Sequence, residues 1–138
     1  MDKYMNLAIK EALKAKNGGD VPVGAVVVHK NKIISKAFNK KEKSKNAICH
    51  AEIIAIKKAC KKINSWHLND CILYCTMEPC MMCCGAILQS RIKKVYFLVK
   101  NDKYGCTDLL KNSKIEFIKL EKDLKMKKIL NEFFSSKR

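Results

Sequence analysis

The chain has 138 residues, 48% of them hydrophobic, which predicts one compact domain over residues 1–138 with a core of its own. Its formal net charge is +16, which favours a polyanionic partner, although only Arg91 and Arg138 are Arg and biased codon usage explains the lysine excess equally well. No apolar run approaches membrane-spanning length and the segment Met1 to Asn6 lacks the apolar stretch of a signal peptide, so a cytoplasmic protein without a membrane association is expected.

Met5, Ala8, Ala12 and Ala15 follow helical spacing, and Asn17-Gly18-Gly19 ends the helix. Val21 to Val28 is a β-branched run, with Pro22 tolerable at a strand start or edge, and Lys30-Asn31-Lys32 turns it into a second strand, Ile33 to Phe38. Asn39 to Asn46 is a polar loop rich in Lys. Ile53, Ile54, Ile56, Ala59, Cys60 and Ile63 then mark a well-buried helix. A strand over Cys71 to Thr76 leads to a helix over Cys80 to Gln89, which Pro79 helps to start, and to a strand over Val95 to Val99. A short helix over Thr107 to Lys111, a fifth strand over Ile115 to Leu120 and a helix over Asp123 to Phe134 complete the chain, the last with Leu124, Ile129, Leu130, Phe133 and Phe134 toward the core. Interleaved strands and helices predict a three-layer α/β fold, a five-stranded mixed sheet flanked by helices.

The chemistry lies in His50-Ala51-Glu52 and Pro79-Cys80-Met81-Met82-Cys83. Thiols at i and i+3 of a helix share a face, and a helix N-terminus favours thiolate over thiol. With His50 they form a one-His, two-Cys set that holds zinc and leaves a fourth position open to water, whose pKa falls to about 7 there. Residues i and i+2 of a helix point about 200° apart, so His50 and Glu52 converge only if the helix begins close to His50, even though Asn46 resembles an earlier cap. Glu52 is then a proton carrier beside the ion and not a ligand, the pattern of a nucleobase deaminase.

The remaining cysteines have plainer readings. Without a secretory signal, eight Cys in a chain with a full core are expected to be reduced. Cys49, Cys60, Cys71, Cys75 and Cys106 are assigned to packing, and so is Cys84 in preference to a fourth-ligand role. A purely structural zinc would need that fourth ligand, from Cys49 or Cys84. His29 and His67 are read as loop or packing residues.

Taken with these motifs, Val21 to Val28, Phe38-Asn39, His50-Ala51-Glu52-Ile53, Met77 to Ile87, Ser90-Arg91-Ile92 and Lys103-Tyr104-Gly105 resemble the bacterial tRNA-specific adenosine deaminases of the cytidine deaminase-like superfamily. The resemblance implies a homodimer with one Zn2+ per subunit that acts on the wobble adenosine of a tRNA anticodon stem-loop and yields inosine. It also implies Asn39 as the reader of the flipped base, with Val21, Pro22 and Val23 beneath it and the Ala51 backbone nearby. Ordinary strand packing explains Val21 and Val23 equally well, and Asn39 is also a common turn residue. Lys40, Lys41, Lys137 and Arg138 are the candidate phosphate contacts. A small-molecule deaminase for guanine, cytidine or a nucleotide is the alternative, followed by a non-catalytic RNA-binding protein with a structural zinc.

Overall fold

The helical spacing of Met5, Ala8, Ala12 and Ala15 produces α1 (Asp2–Asn17) in a computed structural model that describes residues 2–137, and all four side chains are buried. Gly19, at φ +85°, lets the chain leave the helix, with the Asp20 N–H donating back to the Ala15 carbonyl. β1 (Gly24–His29) and β2 (Lys32–Phe38) form a hairpin whose two turn residues, Lys30 and Asn31, both have positive φ. That is the turn whose twist matches paired strands. After α2 (Lys41–Ser44) and α3 (Ala51–Ile63) come β3 (Cys71–Met77), α4 (Met81–Gln89) and β4 (Lys94–Val99). A 3-10 turn over Thr107–Leu110, β5 (Glu116–Lys119) and α5 (Leu124–Ser136) follow.

The sheet order is β2-β1-β3-β4-β5, antiparallel from β2 to β3 and parallel from β3 to β5, so the sheet is mixed as expected. Alternation along β1 divides the interior. Ala25 and Val27 join Leu73 and Cys75 against Ala51, Ala55, Ile56 and Ala59 of α3 and Ile87 of α4. Val26 and Val28 join Tyr74 on the other face, against α1 and α5. Period-two strands between two helical layers have a core on each side, so β1 and β3 are buried along most of their length while the edge strands β2 and β5 stay partly exposed, which accounts for the long apolar run of β1. Among the described residues, no helix is long and apolar enough to cross a membrane.

Three expectations need correction. The first strand begins at Gly24 and not at Val21, and α1 passes so near that a Cβ on Gly24 would run into the Ala8 carbonyl and come within 2.7 Å of the Ala12 nitrogen. The 39–46 loop contains α2, whose Glu42 and Lys43 N–H groups donate to the buried Asp20 carboxylate at 2.8 and 3.3 Å. On α5 the buried stripe is Met126, Ile129, Leu130 and Phe133, whereas Leu124 and Phe134 are 80% and 47% exposed. The i, i+3, i+4, i+7 spacing from Met126 selects those four, and Leu124 and Phe134 fall off it.

Candidate functional site

Two helix starts meet beyond the end of β3. His50 is the residue before α3, in extended conformation (φ −76°, ψ 149°), and the helix begins at Ala51 as the His50/Glu52 geometry requires. Cys80 occupies the same position before α4 (φ −77°, ψ 177°), and Cys83 lies in the first turn. The Sγ atoms of Cys80 and Cys83 each stand 3.6 Å from His50 Nδ1, and the three donor atoms lie within 4.8 Å of one another.

This donor set fits zinc. A tetrahedron with Zn–S of about 2.3 Å and Zn–N of about 2.0–2.1 Å has an S···N edge of about 3.5–3.6 Å, close to the spacing found. The charges agree. The Cys83 thiol hydrogen-bonds Cys80, so the Cys80 thiol is held far below its ordinary value while that of Cys83, which is also buried, is pushed far up. A bound cation would favour the thiolate form of both. The bond to Cys80 raises His50, against its partial burial, and the Glu52 carboxylate adds to the rise.

Glu52 is 4% exposed, in the first turn of α3. Burial pushes its carboxyl up to about 6, opposed by its own backbone N–H, the charge of His50 and a hydrogen bond with Cys83. A carboxyl poised there exchanges protons near neutral pH more readily than an exposed glutamate does.

Asn39 and Ala51 are brought together directly. The Asn39 side-chain oxygen accepts the Ala51 N–H at 2.8 Å, and the Asn39 N–H donates to the Val23 carbonyl at 3.1 Å. The Ala51 N–H, orphaned by the helix start, is thereby satisfied. Pro22 and Val23 are buried and Val21 half-buried, all three in the non-strand segment before β1. The Lys40 N–H donates to the Cys49 carbonyl, and its ammonium sits 4.9 Å from the Phe38 ring centre. Lys41 is exposed at the start of α2. Lys137 follows α5, in the layer across the sheet from α3, with its ammonium over the Phe133 ring. Arg138 lies outside the described residues.

All eight cysteines are unpaired. Cys84 is buried, its thiol donates to the Pro79 carbonyl at 3.7 Å and is pushed up to about 12 by that burial, and among the described residues it lies outside the three-donor metal group. His29 and His67 are outside the metal group; His67 stacks on Trp66 at 3.7 Å between ring centres. Asp20 and Glu78 carried no role in the sequence, yet both are buried carboxylates holding the loops beside the site. Asp20 follows a Gly-Gly pair, a signal too common to single it out, and Glu78 lies within the Met77 to Ile87 segment of the resemblance, which by itself gives it no role.

Residues 1–99 match the family described as the cytidine and deoxycytidylate deaminase zinc-binding region. A tRNA-specific adenosine deaminase from Bacillus subtilis (strain 168) is 47% identical over 79% of this chain and 68% of its own length. Another, from Buchnera aphidicola subsp. Schizaphis graminum (strain Sg), is 41% identical over 98% of this chain and 94% of its own. Among solved structures, a chain studied for A-to-I editing by tRNA:A34 deaminases at the wobble position of transfer RNA superposes with a TM-score of 0.88 at 28% identity, covering 94% of this chain and 100% of that one. Guanine deaminase from Bacillus subtilis gives a TM-score of 0.70 at 36% identity, covering 83% and 70%.

Proposed function

The chain belongs to the cytidine and deoxycytidylate deaminase zinc-binding family and, within it, to the tRNA-specific adenosine deaminases, and from that premise we propose that it hydrolyses the wobble adenosine of a tRNA anticodon to inosine and ammonia. The observation that carries the reading is Glu52, a buried carboxyl in the first turn of α3, two residues from the imidazole of a three-donor zinc set. Neither a structural zinc nor a core has use for an acid in that place.

His50, Cys80 and Cys83 would hold one zinc per subunit. When bound, zinc supplies a Lewis acid and a water acidic enough to ionise near neutral pH. Glu52 takes a proton from the attacking water and gives it to the ring nitrogen beside the amino-bearing carbon as the new C–O bond forms. It then passes the water's second proton to the amino group, the C–N bond breaks, and ammonia leaves with Glu52 restored.

Asn39 has committed its oxygen to Ala51, so its amide NH2 is the group available to donate to an acceptor on a flipped base. Ala51 contributes by fixing Asn39. Val21, Pro22 and Val23 form the apolar support, tied to Asn39 through the Val23 carbonyl. Lys40 and Lys41, next in sequence to Asn39, would meet phosphates near the base, while Lys137, across the sheet, would reach a more distant part of the stem-loop; Arg138 is a further candidate phosphate contact from the sequence alone.

We extend the proposal to a cytoplasmic homodimer. Met81, Gly85 and Leu88 are exposed at i, i+4 and i+7 on one side of α4, an apolar face that a second copy would cover. Free thiols and a tRNA substrate fit the cytoplasm.

Similarity to a guanine deaminase at 36% identity favours a second reading, a free-base enzyme. The deciding experiment incubates zinc-loaded protein with an anticodon stem-loop carrying wobble adenosine, the same loop carrying cytidine, and free guanine. Inosine, read as guanosine on sequencing, is expected in the adenosine loop alone, with binding that weakens steeply as salt rises. Turnover of guanine or cytidine with the adenosine loop untouched would overturn the proposal.

A further inference from the structure

Glu78 sits between β3 and the Pro79-Cys80 pair, 4% exposed, and takes part in none of the ion pairs among the described residues. Its oxygens are instead occupied by one loop. Oε1 accepts the Asn101 N–H at 3.1 Å; Oε2 accepts the Thr107 N–H at 3.3 Å and the Thr107 hydroxyl at 2.6 Å. A buried carboxylate is tolerable only when such donors replace water, so the carboxylate and the 101–107 loop require each other.

The same loop lies on the metal ligand. Gly105 pairs with Cys80 in an isolated antiparallel bridge, and the Cys106 N–H donates to the Pro79 carbonyl at 3.2 Å. A Cβ on Gly105 would stand 2.5 Å from the Glu78 carboxyl and 2.5 Å from the Asn101 carbonyl oxygen, so the approach is as close as glycine permits.

We infer that Glu78 is a positioning residue for the metal centre: it gathers Asn101 and Thr107, seats the 101–107 loop against Pro79 and Cys80, and thereby fixes the backbone from which Cys80 presents its thiolate. The inference rests on the zinc set of His50, Cys80 and Cys83 and is independent of the substrate. Groups that support a ligand from outside the coordination sphere typically govern metal affinity by about 10- to 100-fold.

The test is Glu78→Gln, which keeps the size but turns an N–H2 toward groups that donate. Zinc affinity, measured by chelator competition, should fall about 10- to 100-fold. In the cobalt(II)-substituted protein the thiolate charge-transfer bands should shift. Thr107→Val should move both readouts the same way by less, and Thr107→Ser, which keeps the hydroxyl, should restore them. Wild-type zinc affinity and an unchanged cobalt spectrum in Glu78→Gln would overturn the inference; combined with lost deamination, they would place Glu78 on the substrate instead. Should Glu78→Gln fail to fold, the Thr107 pair decides: equal affinity and spectra in Thr107→Val, Thr107→Ser and wild type would overturn it. A chain that meets these metal expectations but leaves adenosine intact would overturn the proposed substrate and leave the role of Glu78 standing.

Discussion

Asn39 has two separable duties, and two substitutions tell them apart. Asn39→Ala removes the acceptor of the Ala51 N–H, a 2.8 Å bond at the first residue of α3, and Ala51 is fully buried. A buried donor left unpaired costs about 1–3 kcal/mol, and for a domain of this size about 2 kcal/mol lowers Tm by roughly 6–10 °C. Asn39→Asp keeps an acceptor in place and adds a negative charge at a helix N-terminus, so its stability should stay near wild type. It also removes the amide NH2. If that group donates to the base, kcat/KM on the adenosine stem-loop should fall roughly 5- to 150-fold in both variants, the equivalent of about 1–3 kcal/mol. Urea unfolding gives the first quantity and initial rates of inosine formation the second. Wild-type kcat/KM in Asn39→Asp would refute the role of the amide at the base, and wild-type stability in Asn39→Ala would refute the weight placed on the Ala51 bond.

Gly24→Ala should destabilise by about 1–3 kcal/mol or more in urea, since its Cβ meets the α1 backbone, which cannot step aside as a flexible side chain could. Cys84→Ala should retain one zinc per chain by metal analysis, whereas Cys83→Ala should lose it; zinc loss from Cys84→Ala would restore Cys84 as a ligand. Hydrogen bonds and charge from Lys119 and Lys127 hold the Asp123 carboxyl below the usual carboxylate range. Its contribution is therefore present above the unfolded value of about 4 and is lost as pH falls through the lower, folded one, so Asp123→Asn should flatten the acid limb of stability against pH.

The metal set was legible because spacing alone constrains it: i and i+3 thiols share a helix face, and i, i+2 convergence forces α3 to start at Ala51. The strands were legible as β-branched and apolar runs bounded by turn residues, and their interleaving with helices indicated the layers. What remained hidden depends on long-range partners. α2 has a Lys-rich sequence with little helical pattern and is held by Asp20, more than twenty residues away. Glu78 acquires its role only when Asn101 and Thr107 fold back onto it. β1 starts at Gly24, where the chain passes close against α1, a long-range approach that β propensity does not encode. Leu124 and Phe134 were placed inward on hydrophobicity, although the stripe through Met126 and Ile129 leaves both outside it.

Glu52→Gln separates a proton carrier beside the zinc set from a residue that holds the ion. If Glu52 carries protons without holding the ion, the zinc-loaded variant should keep one zinc per chain and unaltered affinity for the wobble-adenosine stem-loop, with inosine formation lower by at least about 10²- to 10⁴-fold. Wild-type deamination by the zinc-loaded variant would contradict it, and loss of zinc would show that Glu52 is a ligand.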